Sequence, residues 1–263
     1  MTKIDDVLEI TRKLRHRDDG CPWDLEQTFA SIVPHTIEEA YEVAECIEHR
    51  GLAGLAEELG DLLFQVVFYA QLAQEQGLFD FDDVVDAISQ KLIARHPHVF
   101  GSASVVDAAA QTHRWEEHKA EERRLAAAGS CVSELDGVPL SLPALARSKK
   151  LQQRAARVGF DWPDFTGVRQ KVLEEFDELE AAIEARSSPA EVEEEMGDLL
   201  FACVNWARRL GVEPESALRA TMRKFEKRFH YIEKALDDAG INITEASLAK
   251  MDALWEESKR KDG

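Results

Sequence analysis

Residues 52–76 read LAGLAEELGDLLFQVVFYAQLAQEQ, and Leu55, Leu59, Leu62, Leu63, Val66, Ala70 and Ala73 recur in them at steps of three and four. That is the period of an amphipathic helix, not of a strand. Residues 190–210, AEVEEEMGDLLFACVNWARRL, repeat it through Val192, Met196, Leu199, Leu200, Cys203, Ala207 and Leu210. On either side of these two stretches, helices are predicted at about 3–16, 36–49, 81–95, 107–127, 144–157, 166–186, 214–239 and 245–260. Gly20, Gly51, Gly77, Pro97, Gly159, Pro189, Gly211 and Gly240 mark the stops. The one extended candidate, Val138 to Leu142, is short and interrupted by Pro139. The expected fold class is all-α, with two tandem repeated helical-bundle domains.

The tandem arrangement follows from internal repetition. GCPWD at 20–24 answers GFDW at 159–162, IEEAYE at 37–42 answers LEEFDE at 173–178, and EELGDLLF at 57–64 answers EEMGDLLF at 194–201. Lys91 and Arg95 answer Lys224 and Arg228, and WEEHK at 115–119 answers WEESK at 255–259, all in the same order. The expected division is an N-terminal domain at 1–128, a linker at 129–143 (GSCVSELDGVPLSLP) and a C-terminal domain at 144–263.

The net charge of −19 repels a phosphate backbone, which argues against binding to a nucleic acid polymer. It leaves room for a small phosphorylated substrate, because a divalent cation reverses the local field. Cys21, Cys46, Cys131 and Cys203 form no CxxC pair and are read as reduced thiols of a cytoplasmic protein. The first twenty residues have no apolar signal-peptide core, and no run is apolar enough to span a membrane.

Glu38, Glu39 and Glu42 share one helix face, at spacings of three and four. Glu58 and Asp61 follow at i, i+3 on the next helix, beside the stripe of Leu55, Leu59, Leu62 and Val66. A helix buried through that stripe would hold both carboxylates at the edge of the core. Gly51 suggests an antiparallel pair of helices with facing acidic edges. The second half repeats the set as Glu174, Glu175, Glu178, Glu195 and Asp198. Like charges at this spacing weaken a bare helix, and a bound cation would offset the cost. Hard oxygen donors suit Mg²⁺, with water and phosphate completing its shell. No His or Cys joins the cluster as zinc would favour, and no Glu-x-x-His suggests a di-iron site. A solvated acidic face is the plain alternative for one EExxE run; the repetition of both motifs argues against it.

Lys91 with Arg95, and Lys224 with Arg228, present two cations from one helix face, suited to a polyphosphate or simply to solvent. Trp115 with Lys119 and Trp255 with Lys259 form a second i, i+4 set. The indole either stacks on a base or packs the last helix onto the body. Trp23 is expected in the core, and Trp162 either covers a pocket or packs a core.

On these residues the chain resembles the MazG family of nucleoside triphosphate pyrophosphohydrolases, an all-α superfamily. The pattern EExxE, spacer, ExxD occurs as Glu38-Glu39-x-x-Glu42 with Glu58-x-x-Asp61, and as Glu174-Glu175-x-x-Glu178 with Glu195-x-x-Asp198. GCPWD, ELGDLLFQVVF, RHPHVF and VGFDW match the two-domain form, so the likeness covers essentially the whole chain. The resemblance implies Mg²⁺, a homodimer, and hydrolysis of an ATP-like NTP or dNTP to monophosphate and pyrophosphate. By position it gives Glu175, Glu178, Glu195 and Asp198 as metal ligands, with counterparts Glu39, Glu42, Glu58 and Asp61. Glu38 and Glu174 either position water or support the helix. The expected mechanism is attack by metal-activated water at the α–β phosphate linkage. Lys171, Lys224, Arg228 and Lys259 would neutralise the phosphates, and Trp255 would contact base or sugar. Lys171 is replaced by His35 in the first half, and Arg95-His96-Pro97-His98 is expected to end a helix that stays open through Phe229 and Ile232 in the second. The second half is therefore expected to be the stronger site. A phosphoribosyl-nucleotide or deoxyuridine triphosphate pyrophosphatase, and a non-enzymatic helical interaction protein, are the alternatives.

Overall fold

The computed structural model describes residues 3–102, 107, 111 and 133–262. The helix expected at 107–127, the Trp115–Lys119 set, Cys131 and residues 129–132 of the expected linker lie outside the described residues. The chain divides into two compact units, Met1–Lys119 and Ala120–Gly263. Every regular element among the described residues is helical.

In the first unit, helix α1 spans Lys3–Leu14, α2 Pro22–Glu26, α3 Phe29–Glu45, α4 Leu55–Glu75, α5 Phe81–Arg95 and α6 Pro97–Phe100. Helix α3 begins seven residues earlier than its periodicity suggests. Thr28 and Ser31 cap it reciprocally, each side chain accepting the other's backbone N–H, a device contributing about 1 kcal/mol. It carries Pro34 internally and runs on as a π-helical turn, Cys46–Arg50, to Gly51 at φ 70°. Gly20 closes the turn after α1: a Cβ there would lie 2.4 Å from the His16 carbonyl oxygen and 2.5 Å from that of Leu14, so only glycine fits.

Helices α1 and α3 pack on α4. The core there is Ile32, Phe68 and Leu72, flanked by Phe29, Phe64 and Tyr69. The apolar stripe expected to face this core is only partly buried. Of the stripe, Leu59, Leu63 and Val66 are exposed and Ala70 and Ala73 are buried; Val67, Phe68 and Leu72, outside it, are buried too. Helix α4 is apolar on more than one face, so the stripe read from spacing covers only part of the buried one. Trp23, expected inside, is 52% exposed, its ring edge-on to His35 at 5.9 Å. Arg15 takes the interior position instead. Its guanidinium donates to Glu75 at 2.9 and 2.7 Å and to the Asp24 carbonyl, and lies over the Phe68 ring.

In the second unit, α7 spans Ala144–Arg157, α8 Phe165–Glu184, α9 Pro189–Arg209, α10 Pro214–Asp238 and α11 Leu248–Asp262, with a short 3₁₀ turn at Ile243–Glu245. Asp164 caps α8 by accepting from the Thr166 and Gly167 amides, and Ser188 with Glu191 forms a capping box at α9. Four residues join α8 to α9, so the two pack as an antiparallel hairpin. Helix α7 lies on α9, where Gln152 Nε2 donates to the Phe201 carbonyl at 2.8 Å. Ile232, Leu236 and Leu254 bind α11 to α10. Helix α10 runs unbroken past Phe229 and Ile232, while α5 stops at Arg95 before Pro97, as the sequence indicates. No described helix is long and apolar enough to cross a membrane.

Candidate metal and nucleotide site

Each unit gathers carboxylates where its helical hairpin brings EExxE and ExxD face to face. In the first, carboxylate oxygens of Glu39, Glu42 and Glu58 lie within 4.8 Å of one another. In the second, those of Glu175, Glu195 and Asp198 do so. Asp61 and Glu178, the remaining member of each expected quartet, stand outside these trios. Glu58 and Glu175 are the most enclosed, at 9% and 6% exposure, and both project from the inner face of their hairpin.

The electrostatics follow from the crowding. Glu39 is pushed above the ordinary carboxylate pKa by partial desolvation, then by repulsion from Glu42, Asp61, Glu38 and Glu58. Glu178 is pushed up by desolvation and then by Glu175, against the opposing attraction of Lys171. Such clusters are ready for a cation. In the second unit an internal cation already sits among them: Lys171 Nζ is 2.7 Å from Glu174 and 2.7 Å from Glu175, and these hydrogen bonds raise its pKa. The matched His35 lies 3.7 Å from Glu38.

Lys171, Glu175 and Asp198 also form one wall of a cavity of about 400 Å³ between α7, α8 and α9. Its remaining lining is mainly apolar, with Phe160, Trp162, Val168, Phe201 and Ala202. Trp162, whose role the sequence leaves open between pocket and core, therefore lines a pocket. Its indole rests on the first turn of α8, where a Cβ on Gly167 would come within 2.0 Å of Cδ1. Asp161 anchors this segment by accepting from Arg208 at 2.6 Å and Arg209 at 3.4 Å.

Lys224, Arg228, Trp255 and Lys259 stand elsewhere, on α10 and α11, and none lines this cavity. The Arg228 guanidinium lies over the Trp255 ring, which also meets Phe225 at 5.5 Å between centroids. Trp255 is half-buried beside these side chains. Lys259 pairs with Glu256 at 2.7 Å, and Lys224 is exposed. Lys91 is exposed and Arg95 half-buried. The sequence reading missed Gln152 and Asn205, which are buried and line the cavity. For Asn205 the signal was present in the repeat. Gln65 and Phe68 of the first half align with Ala202 and Asn205 of the second, a loss of side-chain volume on the same helical face.

A helical hairpin that converges acidic side chains, present once in each unit, defines a duplicated all-α carboxylate-cluster protein. The MazG nucleotide pyrophosphohydrolase domain matches at residues 27–100 and again at 165–232. The chain is 49% identical over 263 residues to the nucleoside triphosphate pyrophosphohydrolase of Escherichia coli K12, covering all of this chain and 99% of the relative. It is 43% identical over 260 residues to the nucleoside triphosphate pyrophosphohydrolase/pyrophosphatase MazG of Thermotoga maritima, covering 98% and 96%. A nucleoside triphosphate pyrophosphohydrolase of Mycolicibacterium smegmatis is 33% identical, with 74% of this chain and 64% of the relative covered. The chain belongs to the MazG nucleotide pyrophosphohydrolase family.

Proposed function

We propose that this enzyme hydrolyses nucleoside triphosphates to the monophosphate and pyrophosphate, using Mg²⁺ held chiefly by Glu175, Glu178, Glu195 and Asp198. The names of the full-length relatives support the reaction. The observation that carries the site is the second-unit trio, converging within 4.8 Å on the wall of a cavity lined also by a lysine. The donor set suits Mg²⁺, being hard carboxylate oxygen with no imidazole or thiolate among the clustered groups. When bound, the ion neutralises triphosphate charge and acidifies the water that attacks the α–β linkage.

The chain's own groups supply the rest. Glu174 stands beside the trio and is held by Lys171, where a carboxylate orients the attacking water. Lys171 exchanges its carboxylate partners for phosphate oxygens as substrate enters. Lys224 and Arg228 add positive charge from α10, with Lys259 on α11. Glu39, Glu42, Glu58 and Asp61 form a second Mg²⁺ site, and the second unit is the main catalytic one because it combines Lys171 with the cavity. A homodimer accords with the exposed apolar side chains on both hairpins, among them Leu59 and Leu63 on α4 and Met196 and Leu200 on α9. The test is chelation followed by readdition: pyrophosphate release from an NTP is expected to stop with chelator and return with Mg²⁺. Release that persists without metal overturns the metal assignment.

A further inference from the structure

The carboxylate trio of the first unit sits where its helical hairpin has little else to hold it. From 37 to 45 on α3 and from 55 to 63 on α4, the only buried residue is Glu58, at 9% exposure. The apolar core of the pair, Ile32, Phe68 and Leu72, lies toward the end far from the connection. That connection is nine residues long, 46–54, whereas four residues join α8 to α9. Cys46 is buried, but within the connection, where its Sγ donates to the Gly51 carbonyl. In the second unit the corresponding half of α8 buries Leu179, where the first has half-buried Val43. Paired helices that bury little apolar surface gain little from packing and open locally. Charge adds to the gap. Oxygens of Glu39, Glu42 and Glu58 lie within 4.8 Å of one another, and foremost among the charges bearing on Glu39 are those of Glu42, Asp61, Glu38 and Glu58. The second unit answers similar crowding with an internal ammonium, Lys171 on Glu174 and Glu175. Its counterpart His35 is 3.7 Å from Glu38, outside the trio, and neither Glu39 nor Glu42 has an ion-pair partner among the described residues.

We infer that a divalent cation shared by Glu39, Glu42 and Glu58 is a structural staple of the first unit, fastening the connection-side half of the α3–α4 hairpin, a task that Lys171 partly performs in the second unit. The inference rests on the reading of these carboxylates as Mg²⁺ ligands given above. The donors are hard carboxylate oxygens, the set such an ion takes. Two come from α3 and one from α4, so an ion bound to all three holds the helices together. Gathering three like charges destabilises the folded hairpin, and a bound cation offsets that cost. Opening of the hairpin scatters the three groups and dissolves the site. Ion binding is therefore folding free energy for this segment. The two units then differ in kind. The second is assembled around its own ammonium before metal and substrate arrive, whereas the first is completed by metal even when no nucleotide is bound.

The test is hydrogen exchange of the full-length protein without nucleotide, in chelator and in MgCl₂, with NaCl of equal ionic strength as the control. Exchange through local opening slows by the factor 1 + [Mg²⁺]/Kd. With Mg²⁺ at about ten times Kd, the amides of residues 41–45 and 59–63 should exchange about tenfold more slowly than in chelator. Glu42→Gln should abolish that slowing. His35→Lys, which copies the second unit, should slow these amides before metal is added and leave Mg²⁺ a smaller effect. The amides of α8 and α9, followed in the same samples, report on the other cluster. Slowing there but not in α3 and α4, slowing that NaCl reproduces in α3 and α4, or undiminished slowing in Glu42→Gln overturns the staple and leaves the Mg²⁺ reading of the second unit standing. No effect of Mg²⁺ on either hairpin overturns that reading, and the staple with it, so the two failures are distinguishable.

Discussion

Replacing Lys171 by Met should strengthen Mg²⁺ binding in the absence of nucleotide and weaken nucleotide binding in its presence. Lys171 Nζ contacts Glu174 and Glu175, each at 2.7 Å, with 35% of the lysine side chain and 8% of that of Glu175 exposed. An ion entering the trio must compete with that ammonium for Glu175. Ion pairs with one solvent-facing partner contribute about 0.2–1 kcal/mol. At 1.4 kcal/mol per tenfold, the upper half of that range corresponds to about a 2- to 5-fold tightening of Mg²⁺. The same change removes a cation from the cavity wall, so KM for an NTP should rise. Titration calorimetry with Mg²⁺ alone, in a Glu42→Gln/Glu58→Gln background that silences the first cluster, isolates the effect. Lys171→His, which copies the first half, should give a similar tightening at pH 8. Unchanged or weaker Mg²⁺ binding in Lys171→Met would refute the competition.

Glu178→Gln should reduce kcat at least tenfold more than Glu42→Gln, measured as pyrophosphate release; equal losses would remove the asymmetry between units. Phe68→Ala empties a position only 1% exposed and should cost about 3–5 kcal/mol in urea unfolding; a loss under 1 kcal/mol would show that the first-unit core is misjudged. Burial pushes the Asp161 carboxyl up, but the hydrogen bond and charge of Arg208, the Trp162 amide and Arg209 together hold it below its ordinary value. A depressed carboxylate contributes stability that is present above the unfolded pKa, about 3.9, and lost as pH falls through the lower folded value. Wild type should therefore exceed Asp161→Asn in stability at pH 7, and the gap should shrink below pH 4. A gap that widens in acid would contradict this sign.

The acidic clusters were legible in the sequence because helical periodicity converts spacing into a shared face. Glu58 and Glu175 indeed turn inward on paired helices. The buried face of α4 was only partly legible: Ala70 and Ala73 of the expected stripe are buried. Leu59, Leu63, Val66 and Phe68 are all apolar, and only tertiary packing selects Phe68 and leaves the other three exposed. The Lys171 ion pairs follow from i, i+3 and i, i+4 spacing, as does the pair of Lys259 with Glu256, but the contact of Arg228 with Trp255 depends on where α10 and α11 pack. Gln152 escaped notice because it and the adjacent Gln153, on a basic, amphipathic helix, carry no periodic signal. The substitution of Ala202 and Asn205 for Gln65 and Phe68 did carry one, readable only once the halves are aligned residue by residue.

The reaction itself is tested most directly by separating the products of an NTP incubated with the protein and Mg²⁺ on an anion-exchange column. Equimolar nucleoside monophosphate and pyrophosphate are expected, with formation abolished by Glu195→Gln. Nucleoside diphosphate with orthophosphate, or undiminished turnover in Glu195→Gln, would contradict cleavage at the α–β linkage by the carboxylate site.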